Sequence, residues 1–215
     1  MTSTSLSLAI AVFLVQATFA SGREPVAITF DKPTDIKKFQ PSGPSDGGSL
    51  SVVNKDGVPM LQVVVTEKNV DSPWVVNLPL HYVNRPGSIP FGPRFQIRME
   101  IATPPGDSIP ISLWTLPPDR KAAKAAELFI SNGTLKIKGQ ETTEAALTGV
   151  MAAIDINIDL ESNTFTLSLD GQRIVEDVSF IGSVDAEEIY LLQIGGRTAG
   201  PGELILHAIN IQNIP

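Results

Sequence analysis

Alternation of apolar and polar residues is the feature that most constrains how this chain folds. In residues 154–160, Ile or Leu occupies every second position, and Asp or Asn occupies the positions between. After a turn at 161–163, the same period continues through 164–169. Side chains alternate between the two faces of a β-strand, so this pattern predicts antiparallel strands with one buried and one solvated face.

The same period recurs along most of the chain and predicts its fold class. The other predicted strands are 27–30, 49–53, 59–65, 74–83, 94–102, 109–113, 128–130, 135–137, 173–175, 189–194 and 204–212. Turn signals separate them about every 8–12 residues. Short strands at this spacing predict an all-β fold, an antiparallel two-sheet β-sandwich of the jelly-roll type. One segment departs from the pattern: residues 119–128, DRKAAKAAEL, are rich in helix formers and predict a short helix.

The first twenty residues predict export of the protein. Their apolar run, 6–19, is shorter than the roughly 20 residues that a membrane-spanning helix needs. Thr18-Phe19-Ala20 fits a signal-peptidase cleavage site. We interpret 1–20 as a signal peptide and 24–215 as one β-sandwich domain, secreted or periplasmic, with no membrane span after signal removal. An uncleaved N-terminal anchor is the alternative, because no Lys or Arg precedes the apolar run.

Composition excludes several classes of function. The chain of 215 residues has no cysteine, which excludes disulfides and thiolate chemistry. Its 16 Lys and Arg against 23 Asp and Glu give a net charge of -7, and the only basic cluster is Arg120, Lys121 and Lys124. We therefore expect no nucleic-acid partner. The two histidines are too few for a three-histidine metal centre.

Two neighbouring segments carry a family resemblance. Residues 153–160 (AIDINIDL) and 163–172 (NTFTLSLDGQ) combine apolar strands with tight turns, and a closing strand follows at 204–211. With this pattern the chain resembles the concanavalin A-like lectin/glucanase superfamily, in particular its laminin-G-like domains. Residues 95–101 resemble the strand that crosses the middle of that sandwich. The resemblance implies a jelly roll whose concave sheet or loop rim binds sugars or proteins in many relatives and is catalytic in some.

The enzyme motifs of the superfamily are incomplete in this sequence. Its glucanases carry Glu-x-Asp-x-Glu on one strand, and no such triplet occurs here. Polysaccharide lyases of similar shape carry Arg-x-Glu, Gln-x-His and a strand with tyrosine. Arg98-Met99-Glu100 matches the first of these, whereas Gln193-Ile194-Gly195 has glycine where the histidine belongs. Both enzyme interpretations lack essential groups.

A row of polar side chains on one predicted strand is the candidate ligand site. Its members are Arg94, Gln96, Arg98 and Glu100. Such a row hydrogen-bonds sugar hydroxyls or a uronate carboxylate, and Arg does so bidentately. The alternative is an exposed face with weak cross-strand charge pairs.

Three further residues bear on this site. Trp114 falls on the polar side of its strand, and an exposed aromatic ring there stacks on a sugar. We place Trp114 and His81 at the rim of the row. His207 shares its side of the last strand with Ile205 and Ile209. This arrangement predicts a core or edge histidine.

We therefore expect a non-catalytic module that binds carbohydrate or another extracellular surface ligand. One alternative is a glycan-active hydrolase or lyase, with Glu100 as acid or base and Arg98 neutralising a sugar carboxylate. Another is a protein-binding adhesion or structural module. No cofactor is expected, and no metal ligand is assigned. Calcium stays open, since relatives hold it with loop oxygens and several aspartates lie in turn-like stretches: Asp46, Asp56, Asp107, Asp170 and Asp185.

Overall fold

The protein is a sandwich of two antiparallel sheets, as predicted. The computed structural model describes residues 25–66, 71–80, 91–102, 109–116, 121–139, 144–147, 151–183, 188–197 and 199–214. Its strands are β1 Val26–Ile28, β2 Gln40–Ser42, β3 Gly48–Lys55, β4 Val58–Val65, β5 Val75–Pro79, β6 Arg94–Ala102, β7 Ile109–Leu116, β8 Ala123–Ser131, β9 Thr134–Ile137, β10 Glu144–Ala146, β11 Ala152–Asp159, β12 Thr164–Leu169, β13 Gln172–Ser179, β14 Glu188–Gly195 and β15 Gly202–Asn213.

Each sheet combines neighbouring hairpins with strands from distant parts of the chain. The eight-stranded sheet has the order β13-β12-β11-β6-β15-β4-β3, and β1 pairs with β15. The seven-stranded sheet has the order β10-β9-β8-β7-β14-β5-β2. Thus β6 and β7 follow one another in sequence but belong to different sheets. The C-terminal strand β15 lies inside its sheet, between β6 and β4.

The apolar positions of the alternation form the core between the sheets. On β6, Ile97 and Met99 are fully buried, and on β7 Ile109 and Ile111 are at most 1% exposed. These side chains belong to one continuous cluster that draws on both sheets. Removing apolar surface from water contributes about 25 cal/mol per Å², so this cluster is the main source of stability in a chain without disulfides. The polar positions are thereby directed to two outer faces, one on each sheet.

Three tight turns close hairpins between strands that the alternation predicts. Asp56-Gly57, Asn132-Gly133 and Asp170-Gly171 all have positive φ at both residues, between 48° and 83°. This is the backbone of the two-residue hairpin turn that matches the twist of paired strands. Asp and Asn tolerate this conformation and glycine adopts it freely, which explains the residue types.

The helix predicted for residues 119–128 is wrong. From Ala123 onward the segment is strand β8, which pairs with β7 on one side and β9 on the other. Ala125 and Ala126 are buried and belong to the core cluster. Tertiary packing overrides helix propensity here. The described helices are α1, Pro33–Ile36, and a single 3₁₀ turn at Ile181–Ser183, and neither is long or apolar enough to cross a membrane.

Candidate functional site

The predicted polar row lies on the outer face of the eight-stranded sheet, and its two arginines are paired with neighbouring acids. Arg94 Nε lies 3.0 Å from Asp159 Oδ2, and Arg94 Nη2 lies 3.3 Å from Glu161 Oε2. Arg98 Nη1 donates to both carboxylate oxygens of Asp155, at 3.1 and 3.3 Å. The strand register sets these pairs, since Asp159 and Asp155 on β11 stand opposite Arg94 and Arg98 on β6.

The amide of Gln96 continues this pairing across three strands. Gln96 Nε2 donates to Asn157 Oδ1 on β11 at 2.9 Å, and Gln212 Nε2 on β15 donates to Gln96 Oε1 at 3.0 Å. The alternative interpretation of the row, an outer face with cross-strand pairs, accounts for these contacts. Such exposed pairs contribute at most about 1 kcal/mol each.

The predicted core or edge position of His207 is wrong. The pairing of β15 with β6 shifts register between Leu206 and Ala208, so His207 lies on the outer face while Ile209 and Ile211 point into the core. Its Nδ1 lies 2.6 Å from Glu100 Oε2, and its side chain is 37% exposed. The burial pattern marks the bulge. Buried apolar residues occupy even positions up to Leu206 and odd positions from Ile209 onward.

A second set of polar side chains crosses the outer face of the seven-stranded sheet. Asn77 on β5, Gln193 on β14, Ser112 on β7 and Glu127 on β8 stand directly opposite one another in the strand register. We call these four residues the polar line. Gln193 Nε2 donates to Asn77 Oδ1 at 2.9 Å, which fixes both amides.

Trp114 lies beside the polar line and not at the rim of the β6 row. The predicted grouping is corrected because β7 belongs to the other sheet. Trp114 is half-buried, and its Nε1 donates to Gln193 Oε1 at 3.2 Å. The Nζ atom of Lys124 lies 5.5 Å from the centroid of the Trp114 ring. The indole is therefore fixed by a hydrogen bond at one edge and by a cation on its face.

Two β-bulges flank Trp114. The β7–β8 pairing shifts register between Leu113 and Trp114, and the β14–β7 pairing shifts between Ile189 and Leu191. Bulges redirect side chains and occur often beside functional sites. The second bulge leaves Tyr190 and Leu191 outside the core cluster, on the same outer face as Trp114. Partial burial raises the pKa of the Tyr190 hydroxyl. The sequence analysis missed Tyr190 because a regular alternation does not show a bulge.

Glu127 is a carboxylate that is buried on an outer face. Its side chain is 1% exposed, and Lys124 donates to Oε1 while Lys138 donates to Oε2 at 2.8 Å. Ser112 Oγ donates to Oε1 at 3.3 Å. Burial opposes ionisation, but the hydrogen bonds and charges of the two lysines hold the pKa of Glu127 below its ordinary value of 4.5. The sequence analysis missed Glu127 because it lies in the segment predicted to be helical.

The partial lyase pattern is divided between the two outer faces. Arg98 and Glu100 lie on the eight-stranded sheet, whereas Gln193 lies on the seven-stranded sheet. Each of these strands turns its apolar side chains into the core between the sheets. Arg98 and Glu100 therefore point away from Gln193, and the three groups cannot act on the same bond.

Three of the remaining predicted ligands stay untested. His81 lies outside the described residues, as do Asp107 and Asp185. Asp170 accepts a hydrogen bond from the backbone N–H of Ala153 at 2.8 Å and so has a structural role in its turn. Within the described ranges, no three His, Asp or Glu side chains are placed to hold a metal ion together.

The two-sheet architecture is a jelly-roll fold of the galectin-like, concanavalin A-like type. It is similar to a carbohydrate esterase from the Shiga toxin-encoding bacteriophage phi24B, with 12% identity over 88% of this chain and 98% of that one and a TM-score of 0.56. It is similar to a protein of unknown function with a galectin-like fold from Bacillus subtilis, with 13% identity over 87% and 94% of the two chains and a TM-score of 0.54. It is also similar to a glycoside hydrolase family 16 endo-glucanase from Bacteroides ovatus, with 12% identity over 86% and 98% and a TM-score of 0.53. At these identities the similarity establishes the fold. No family model and no curated protein matches the sequence.

Proposed function

We propose that this chain is an exported, non-catalytic glycan-binding module of the laminin-G-like type, and that it holds saccharides on the outer face of its seven-stranded sheet. The observation that carries the proposal is the setting of Trp114. Its ring lies between two bulges, is oriented by Gln193, and stands beside the polar line. An ordered, half-exposed aromatic ring beside fixed amides is the combination that sugar recognition uses.

The chemistry of this face suits a pyranose ring. The apolar side of the sugar packs on an indole or phenol ring at low cost in side-chain entropy, which Trp114 and Tyr190 provide. Sugar hydroxyls exchange hydrogen bonds with planar amides, which Asn77 and Gln193 provide. Because the mutual hydrogen bond already orders these amides, binding requires little further loss of side-chain freedom. Two of the similar structures, an esterase and an endo-glucanase by name, are carbohydrate-active, which adds support.

A binding screen with one variant on each outer face tests this proposal. The chain from Ser21 to Pro215 is applied to a glycan array, with and without calcium. We expect Trp114→Ala to lower the affinity for a bound glycan at least about tenfold, because the aromatic contact is lost. Arg94→Ala, on the other sheet, serves as the control and should leave the affinity unchanged. Loss of binding with Arg94→Ala and not with Trp114→Ala would instead support the β6 row.

The contact between Glu100 and His207 favours a second candidate function on the other face. A glycan-active hydrolase or lyase would use Glu100 as its acid or base, with His207 orienting the carboxylate and Arg98 neutralising a sugar acid. Each glycan bound in the screen is therefore incubated with the protein and examined for cleavage products. Cleavage that is abolished by Glu100→Gln would replace the binding module with an enzyme.

Export is tested by the N-terminus of the protein from its native source. We propose cleavage after Ala20, so the mature chain in the medium or periplasm begins at Ser21. Mass spectrometry of the intact protein measures this directly. A chain that keeps residues 1–20 in a membrane fraction would support the uncleaved anchor.

A further inference from the structure

We infer that the ligand of this face is an acidic saccharide, whose carboxylate or sulfate group is held by Lys138 and Lys124. The inference rests on the proposed function, since it assigns the ligand class for the same face. Its basis is the contact of both ammonium groups with Glu127. The arrangement holds two cations on one carboxylate, and Lys124 also lies 5.5 Å from the centroid of the Trp114 ring, in a protein whose net charge is -7.

The burial of each group determines which charge an incoming ligand meets. The carboxylate of Glu127 is 1% exposed, whereas the side chains of Lys124 and Lys138 are 27% and 50% exposed. The acid therefore lies beneath the lysines and offers no oxygen to a ligand. The two cations exceed the single anion by one charge, because the lowered pKa keeps Glu127 ionised at neutral pH.

The hydrogen-bonding capacity of the lysines leads to the same ligand class. An ammonium group has three donors, and each lysine uses one of them on Glu127. The exposed part of Lys138 directs further donors to solvent. Hydrogen bonds from Lys to an anionic oxygen are short and strong, so a carboxylate or sulfate is a better acceptor there than a neutral hydroxyl. The indole of Trp114, next to Lys124, is partly exposed.

The cluster of Glu127, Lys124 and Lys138 suggests a role other than stability. Taking the Glu127 carboxylate out of water costs free energy that its attraction to the two partly exposed lysines must offset, so the cluster adds little net stability to the fold. The cluster does hold two flexible side chains in place. A lysine that is already ordered loses little entropy when it binds an anion. Glu127 is therefore a positioning residue for the two cations.

Glycan pairs that differ only in charge test the inference. One pair is polygalacturonate and its fully methyl-esterified form, and the other is a sulfated galactan and its unsulfated backbone. Affinity of the chain 21–215 for each polymer is measured at low salt and again with about 0.5 M sodium chloride, which screens charge. We expect at least one charged polymer to bind about tenfold tighter than its neutral partner, and salt to remove that preference. The pair that shows it identifies the anion as carboxylate or sulfate.

Variants of one lysine locate the effect. Lys138→Gln removes the charge and should abolish the preference for the charged polymer, whereas Lys138→Arg keeps the charge and should retain it. Lys55→Gln, in the β3–β4 hairpin of the other sheet, is the matched control and should change nothing. Far-UV circular dichroism confirms that each variant is folded. The salt titration uses the unmodified chain and stands even if Lys138→Gln does not fold.

Each outcome separates this inference from the proposed function. Equal binding of charged and neutral polymers, with loss of binding in Trp114→Ala, would overturn the acidic ligand and leave glycan binding intact. A charge preference that persists in Lys138→Gln would also overturn it. Absence of binding to every polymer and to the whole array would overturn both.

Discussion

At the scale of single residues, Glu127 is the group whose environment departs most from expectation. An acid on a polar strand face is normally solvated, but here it is covered by the two lysines that neutralise it. Its contribution to stability depends on the state of Lys124 and Lys138 when its charge is removed. Without Glu127, the two ammonium groups lose their counter-charge. This destabilises the fold more than the absence of all three charged groups would.

Replacing Glu127 with Gln therefore destabilises the protein. We expect the free energy of unfolding to fall by about 1–3 kcal/mol, because hydrogen bonds from both lysines to a buried charge are lost. Urea unfolding at neutral pH measures this change. Glu176→Gln is the control, since Glu176 and its partner Arg173 are 56% and 60% exposed, and it should change stability by less than about 0.5 kcal/mol. Equal effects of the two substitutions would contradict the argument.

The same carboxylate makes stability depend on pH. The pKa of Glu127 is lowered in the folded protein and returns to its ordinary value of 4.5 on unfolding. Its stabilisation is complete above that value and is lost as the pH falls through the lower, folded pKa. The stability difference between the unmodified chain and Glu127→Gln should stay constant from about pH 7 to about pH 5.5 and shrink below about pH 4. Unfolding curves at several pH values measure it, and a difference that grows with acid would show that the sign is wrong.

At the scale of secondary structure, local signals predicted most elements. The run of β6 from Arg94 to Ala102 has the predicted bounds, because alternation and the turn residues around it are properties of neighbouring positions. The first part of strand β8 was predicted as a helix because its alanines have high helix propensity, and its pairing with β7 is not encoded locally. The bulges at Leu206 and Tyr190 escaped prediction because they depend on the partner strand.

Strand β3 offers a test of packing at this scale. A methyl group at Gly48 would clash with the carbonyl oxygen of Val64 and would lie 2.5 Å from the Trp74 ring. Gly48→Ala therefore forces the strand and the indole apart, and we expect the free energy of unfolding to fall by about 1–3 kcal/mol. Urea unfolding followed by tryptophan fluorescence measures the stability. Gly92→Ala is the control, because the nearest atom, Asn213 Oδ1, would be 3.7 Å away. A neutral Gly48→Ala would show that the indole has room to move.

At the scale of the whole molecule, the two outer faces explain why the site was only partly predicted. The alternation correctly assigned the β6 row and Trp114 to polar faces, but both sheets of a sandwich have such a face. Sheet membership depends on long-range pairing, and β6 and β7 separate although they are consecutive. The sequence could therefore identify surface positions but not group them. The polar line shows this most clearly, since Asn77, Ser112 and Gln193 come from distant parts of the chain.

The same topology predicts how the molecule responds to truncation. Strand β15 lies between β4 and β6, also pairs with β1, and contributes buried side chains such as Leu206 and Ile209 to the core. A chain that ends before Gly202 exposes two central strand edges and a cavity along the sheet. We expect it to show no cooperative thermal transition, because pairing and core are lost together. Circular dichroism during heating and the dispersion of amide NMR signals measure this.

A chain that begins at Thr29 is the matched control for that truncation. This chain lacks β1, which pairs only with β15 among the described strands. The truncation therefore removes a three-residue strand and one buried side chain, Ile28. We expect a lower melting temperature with the cooperative transition intact, because the order of the other strands is unchanged. A cooperative transition in the chain lacking β15 would show that the remaining sheet closes without its central strand. Loss of cooperativity in the control would show instead that the terminal pair β1–β15 holds the sandwich together.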